Sequence, residues 1–391
     1  MLAVLSIVAV VGGDEAAATG SGRALPALHA AEVVSQLPRW VVPGGRIEVA
    51  GWTAPGKHVT VKVGRRTIGR ATSGRRGHFR VEARAPAPGR YRIAVEANGR
   101  RLRAGRLRVR PLRLAAVGDV TFGSRVADVV RERGPRYPWL SVAPLLRSAD
   151  LATANLEGAV SSRGAPVAGK EYTFRGSRAA LVAAARFAGL DVVSLANNHT
   201  LDFGVTAFFD TLRAARRLDV ATVGGGADLS RARRPALLRV GGLRLAFLGY
   251  SDVRPLGFTA GPSVPGTAPA YPQFIADDVR RARREADLVV VWFHWGVERA
   301  LRPNGRQEEL AAAALNAGAA VVLAAHPHVL QPIARPDRRR LVAWSLGNFV
   351  FPAHSPLTER TGILILRLDT RGVRGYSFRR AYIHGVQPRL R

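Results

Sequence analysis

The segment SLANNHTLDFG, from Ser194 to Gly204, begins as an apolar strand and ends in two asparagines, a histidine and an aspartate. Strands that only fill a core normally end in simple turn residues. A tip of Asn197, Asn198, His199 and Asp202 reads instead as one wall of a metal or substrate site. Four other apolar strands end the same way. LAAVGD ends at Asp119, LATANLE at Asn155 and Glu157, VVVWFHWGVE carries His294 and Glu298, and VVLAAHPHV carries His326 and His328. Each tip alone is ordinary turn chemistry. Their repetition is the informative feature, because ligands of open α/β sheets bind at the carboxyl ends of strands. Five tips along one edge would form a pocket of carboxylate, amide and imidazole.

Between these strands lie helical stretches near PLLRSA, SRAALVAAARFAG, TAFFDTLRAARRL, FIADDVRRARREA and RQEELAAAALNAG. The alternation predicts a layered α/β domain over residues 112–391, with some antiparallel pairing towards the strand-rich C-terminus. Upstream, residues 39–111 alternate apolar and polar with period 2 between Gly- and Pro-containing turns. They predict about seven short strands in a small Ig-like β-sandwich without a cluster of His, Asp or Glu. Residues 19–38 read as a linker. The opening run LAVLSIVAVVGG has the length of a signal-peptide core, and Ala16-Ala17-Ala18 offers a small-residue cleavage site. Residues 1–18 are therefore expected to be a signal peptide or an uncleaved anchor, and the protein to be exported and held at the cell envelope or released.

The chain has a formal net charge of +31 over 391 residues and no cysteine. The charge favours polyanions such as envelope polymers. No basic stretch with interleaved aromatics marks a specific nucleic-acid module. The lack of cysteine excludes thiol catalysis, Cys-ligated metals and disulfides. Imidazole mixed with carboxylate and amide oxygen suits divalent Mn, Zn or Fe, and two such ions can activate water and clamp an acyl or phosphoryl oxygen. GAPVAGKE (Gly164 to Glu171) has P-loop spacing up to Lys170, but Glu171 stands where Ser or Thr would hold Mg, and no strand leads into it. Trp295, beside His294, is a candidate pocket wall.

From about residue 112 to 352 the chain resembles the CapA family, named for poly-γ-glutamate capsule synthesis, within the calcineurin-like metallophosphatase superfamily. VGDVTFG, NLEGAV, KEYTFRG, SLANNHTLDFG, FHWGVE, AHPHVLQPI and SLGNFVF carry the resemblance, in the family's order. It implies that Asp119 and His328 hold a first metal, that Asn198, His294 and His326 hold a second, and that Glu157 bridges them. His199, oriented by Asp202, would be the acid or phosphate contact. Lys170 and Arg175 would meet an anionic substrate, with Asn155, Asn197 and Glu298 lining its site. Three positions depart from the superfamily pattern: Thr121 replaces a ligating His, Glu157 an Asp, and Ala325 a Gly. One ion or a weakly held pair both fit such a site.

Three functions follow as expectations. The first is an exported metal-dependent hydrolase of a phosphoester or γ-glutamyl amide in an envelope polymer. The second is a non-catalytic factor that binds, tethers or exports an anionic polymer beside a membrane-bound synthesis machinery. The third is a metal-dependent peptide epimerase.

Overall fold

The computed structural model describes residues 33–391; the expected signal or anchor at 1–18 lies outside them. Among the described residues, no helix is long and apolar enough to cross a membrane.

The first unit is all β. A three-stranded antiparallel sheet pairs Val33–Val34, Arg46–Trp52 and His78–Arg84 in that order. A five-stranded sheet runs Trp40–Val41, Arg100–Val109, Gly89–Ala97, His58–Val63, Arg66–Thr72. The period-2 pattern explains the packing. Ile47, Val49, Phe79 and Val81 from one sheet bury against Val59, Val61, Ile93, Val95 and Leu107 from the other. The strand Val33–Val34 falls inside the stretch read as linker, because it pairs with Gly51 and Trp52. On the outer face, Arg90 lies directly opposite Arg108, and Arg92 opposite Arg106. Like charges at opposed positions repel.

The sandwich is docked on the second unit. Val42 and Arg46 donate backbone N–H bonds of 2.8 Å to Gly241 and Gly242. Arg110 lies over the Trp40 ring and makes a two-pronged ion pair with Asp150 at 2.6 and 2.7 Å.

The second unit has four layers. One mixed sheet runs Ala221–Val223, Val192–Ser194, Leu151–Leu156, Leu112–Val120, Arg360–Asp369, Gly372–His384, Gln387–Leu390, with Asn348–Val350 also pairing with Leu112–Val120. Its first four strands are parallel. The other sheet runs Ala236–Val240, Leu243–Ser251, Leu288–His294, Val321–Ala325, Leu341–Ala343, Ile333–Ala334, parallel in its centre. The central strands are nearly uniformly apolar because both of their faces are covered. Leu114, Ala116, Val192 and Leu364 meet Phe247, Val290, Trp292 and Leu323 between the sheets. Helices including Gly204–Arg217 cover the first sheet, and Pro272–Glu285 and Gly305–Asn316 cover the second. The expected layered α/β domain is present. The single edge read from the sequence is divided, with three of the five polar tips in one sheet and two in the other.

Away from those tips, Asp191 precedes the strand Val192–Ser194 and accepts the Ala152 N–H at 2.8 Å. Burial pushes its carboxyl up from 3.8 to about 6, against the lowering effect of that bond. A carboxyl raised on folding stabilises the fold fully below its unfolded pKa, and that contribution is lost as pH rises through about 6. Asp191→Asn keeps an acceptor without the charge. It is expected to gain about 3 kcal/mol over wild type at pH 7.5, and almost nothing below about pH 4, in paired urea melts. An equal gain at both pH values would rule out this cause.

Candidate metal centre

The parallel strands deliver their polar tips to one cleft. Asp119 closes Leu112–Val120, and its approach depends on Gly118, where a Cβ would stand 1.8 Å from the Gly347 carbonyl oxygen. The Asp119 N–H donates to that same carbonyl at 2.8 Å. The Asp119 carboxylate accepts Asn155 Nδ2 at 2.7 Å on one oxygen and the His326 N–H at 3.2 Å on the other. Glu157 is fully buried beside it, 3.3 Å from Asn155 Nδ2 through Oε2. His294 brings Nδ1 to 3.3 Å from the same amide, and its Nε2 meets Asn198 Oδ1 at 2.7 Å. Ligand atoms of Asp119, Glu157 and His294 all lie within 4.8 Å of one another.

Beside this inner group stands a second. Glu298, His326 and His328 also converge within 4.8 Å. The His326 ring centroid is 4.7 Å from that of His294, and His328 Nδ1 is 3.5 Å from Asp119, so the two groups abut. His328 donates Nδ1–H to Asn348 Oδ1 at 2.8 Å.

A third element faces them. His199 Nδ1–H donates to Asp202 at 2.7 Å, and its ring stacks on Phe174 at 4.2 Å between centroids. This orientation puts Nε2 3.7 Å from Glu157 Oε1. Asp202 is completely buried and also accepts the Phe174 N–H and Lys170 Nζ.

The charge states follow from burial and neighbours. Burial acts to raise Asp119, but the hydrogen bond and charge of His328 outweigh it and hold the carboxyl below its usual range. Burial and then the Asp119 carboxylate push Glu157 well above that range. Burial and then His326 drive His294 well below the ordinary histidine value, and burial with His328 lowers His326 to about 4. Both imidazoles are therefore neutral at physiological pH, the form that ligates metal.

The donor set fits divalent ions. Among the described residues, four buried side-chain polar atoms have no hydrogen-bond partner, and two of them, Glu157 Oε1 and His326 Nδ1, belong to this cleft. Buried polar atoms are almost always satisfied, and a cation beside Asp119 would favour the ionised form of Glu157 and pair with both carboxylates.

Eleven residues singled out in the sequence meet here: Asp119, Asn155, Glu157, Asn197, Asn198, His199, Asp202, His294, Glu298, His326 and His328. Asn197 spends its whole amide on the scaffold. It donates to Asn155 Oδ1 and the Leu156 carbonyl and accepts the His199 N–H and the Thr200 hydroxyl. Lys170 reaches the cleft, but its ammonium binds Asp202 and the Asn198 carbonyl and lies 2.9 Å from His199 Nδ1. Arg175 is not brought in. It donates to the Gly164 carbonyl at 2.9 Å and lies over Phe203. Trp295 is fully buried, stacked on Phe293 and bonded to the Trp344 carbonyl, so it packs in the core and does not wall the cleft. Asn348 and Phe174 escaped the residue-by-residue reading, although both lie in quoted motifs, SLGNFVF and KEYTFRG.

A family model described as bacterial capsule synthesis protein PGA_cap matches residues 113–353, a range that contains every residue of the cleft. The PGA biosynthesis protein CapA of Bacillus subtilis (strain 168) is 33% identical over 274 residues, covering 70% of this chain and 72% of that protein. The capsule biosynthesis protein CapA of Bacillus anthracis is 32% identical over 275 residues, covering 67% and 65% respectively. A solved 5'-nucleotidase precursor from Thermus thermophilus overlaps 71% of this chain and 54% of its own, at 16% identity and a TM-score of 0.38. The chain thus spans just under two thirds of the second relative and about half of the nucleotidase, and an overlap as loose as the latter transfers nothing about the site. By the extent of the family match and the identity to these relatives, the chain belongs to the bacterial capsule synthesis protein family PGA_cap.

Proposed function

We propose that this protein is an exported, metal-dependent hydrolase of the cell envelope that acts on poly-γ-glutamate or a related capsule polymer. The bond attacked is a phosphoester of a precursor or a γ-glutamyl amide of the chain. The observation that carries the reading is the pairing of two unpartnered ligand atoms, Glu157 Oε1 and His326 Nδ1, with the His199–Asp202 dyad across one cleft. Divalent Mn, Zn or Fe, as one or two ions, supplies Lewis acidity and a lowered pKa for water.

The chain's own residues do the rest. Asp119, Glu157, His294 and Asn198 hold the inner ion. Asn155 Nδ2 donates to Asp119 at 2.7 Å and lies 3.3 Å from both Glu157 Oε2 and His294 Nδ1, and such supporting contacts tune ligand geometry and basicity. Asp202 fixes the His199 ring so that Nε2, the nitrogen without a proton, faces the reacting group, where it would take the proton released by the attacking water and pass it to the leaving atom. Lys170 neutralises Asp202 and so keeps a buried carboxylate tolerable next to Glu157.

Hydrolysis of γ-glutamyl oligomers and simple phosphoesters by protein purified without chelator tests this. One of the two classes is expected to be cleaved, with activity lost in EDTA and restored by Mn²⁺ or Zn²⁺. Failure to cleave either class with ions bound would reject the hydrolase.

The opposed arginine pairs of the sandwich favour a second reading, a polymer-binding factor. Arg90, Arg92, Arg106 and Arg108 form a cationic patch that a polycarboxylate would relieve. Under this reading, poly-γ-glutamate binding survives EDTA and weakens steeply as salt shortens the Debye length from about 14 Å at 0.05 M to about 7 Å at 0.2 M.

A further inference from the structure

The two cations expected to meet an anionic substrate are spent inside the fold. Lys170 pairs with Asp202, and Arg175 donates to the Gly164 carbonyl. An anionic chain entering the cleft therefore needs positive charge from elsewhere. Beside the His-Pro-His loop lies a groove of about 410 Å³, the size of a small-ligand site. It shares a wall with the metal centre. Val329 lines it and directly follows His328. Thr361 also lines it and donates its hydroxyl to the Asn348 carbonyl, while Asn348 Oδ1 accepts His328 Nδ1–H.

The sides of the groove are apolar and held in place. Leu301 comes from the loop after the strand Leu288–His294, Leu330 from the segment after His-Pro-His, and Leu357 from the short helix Pro356–Glu359. Gln331 ties the first of these to the second, because its amide donates to the Ala300 and Arg302 carbonyls at 2.9 and 3.1 Å. The floor is the strand pair Arg360–Asp369 and Gly372–His384. Gly362 lies opposite Arg380 and Leu364 opposite Phe378, so Arg360, Arg380 and Phe378 share one face. Gly362 leaves that face open, since a Cβ there would stand 2.5 Å from the Phe378 ring. Arg360 and Arg380 are both exposed. Among the described residues, neither guanidinium has a hydrogen-bond or ion-pair partner, and no carboxylate lines the groove.

We infer that this groove is a subsite for a γ-linked polyglutamate chain, with Arg360 and Arg380 pairing with successive α-carboxylates. The inference rests on the proposed polymer substrate and names the residues that hold it. Spacing and chemistry both support it. Arg360 and Arg380 are diagonal neighbours on the sheet, about 7–8 Å apart. A γ-glutamyl unit spans five main-chain bonds where an ordinary residue spans three in about 3.3–3.6 Å, so an extended chain presents a carboxylate every ~6 Å. Two flexible arginine side chains cover the difference. Each unit also alternates a carboxylate with two main-chain methylenes. Guanidinium forks take the carboxylates, and Leu301, Leu330 and Leu357 take the methylenes. An α-linked chain has no main-chain methylene and would set its more closely spaced amides against the leucines, where polar groups lose their water.

The test is fluorescence anisotropy of a labelled, short γ-linked glutamate oligomer in EDTA at about 0.15 M salt, where nothing is cleaved. Replacing both arginines, Arg360→Gln with Arg380→Gln, is expected to weaken binding ~10-fold, the loss of two charge-assisted but exposed pairs. Arg379→Gln removes the same charge from the opposite face of the same strand and is expected to leave binding unchanged. An α-linked oligomer of equal length is expected to bind wild type ~10-fold more weakly. All three arginines are exposed, so the melting temperatures should coincide. No binding by wild type, no loss in the double variant, or an equal loss in Arg379→Gln would overturn the groove and leave the hydrolase reading standing. Equal affinity for the two linkages would overturn the γ-linked assignment. Arginine-dependent binding by a protein that cleaves nothing would sustain the groove and reject the hydrolase.

Discussion

Asp119→Asn is expected to remove the inner ion and lower turnover by about 10³-fold, equivalent to about 4 kcal/mol of transition-state stabilisation. The reason lies in the position of the carboxylate. It is fully buried, it shares Asn155 Nδ2 with Glu157, and its other oxygen reaches towards His326 and His328. An amide there keeps the shape but loses the charge that holds a cation. The effect on the metal-free fold is small, because two changes oppose each other. The variant loses the favourable interaction with His328, and it relieves the repulsion that pushes Glu157 up. Melts in EDTA should therefore nearly coincide. The difference appears on adding metal. At an ion concentration of 100 Kd, wild type gains about 2.7 kcal/mol, and the variant gains none from the inner site. Calorimetric scans with and without Zn²⁺ separate the two contributions. An equal metal-induced shift in both proteins would remove Asp119 from the ligand set.

His199→Gln is expected to lower kcat by about 10²–10⁴-fold while leaving metal content unchanged. His199 reaches Glu157 only at 3.7 Å, and its other nitrogen is committed to Asp202. It thus stands beside the ligands as a proton carrier, held by Phe174 and Asp202. The leaving group gives the discriminating readout. A nitrophenolate leaves without a proton and should be nearly indifferent to the substitution, whereas an alkoxide or amine should show the full loss. Asp202→Asn should follow the same pattern, because an amide cannot hold Nδ1–H in the same way. A uniform loss across leaving groups, or a loss of bound metal, would reassign His199 to structure or to ligation.

The strand tips were legible because two independent patterns coincide in them. An apolar run long enough for a buried strand ends each time in residues that a core has no use for, as at Asp119, Asn198 and His326. The partition between two sheets was not legible, since parallel strands covered on both faces read alike wherever they lie. Long-range pairings were the other blind spot. Lys170 lies in an irregular segment, and only the fold shows that its ammonium goes to Asp202, 32 residues on. Arg175 has the charge for an anion, but its guanidinium is committed to the Gly164 carbonyl. Glu298 sits four residues after His294, and no spacing rule indicates that its loop folds back onto His-Pro-His. In the sandwich, alternation marked the strands well. The short pair Val33–Val34 carries too little pattern to separate it from a linker.

The central claim is that Asp119, Glu157 and His294 hold a divalent ion. Crystals grown with Zn²⁺ and measured on both sides of the zinc absorption edge test it most directly. The account predicts an anomalous peak at about 2.0–2.2 Å from a carboxylate oxygen of Asp119, one of Glu157 and a ring nitrogen of His294. A cleft without such a peak, in crystals whose protein binds zinc elsewhere, would contradict it.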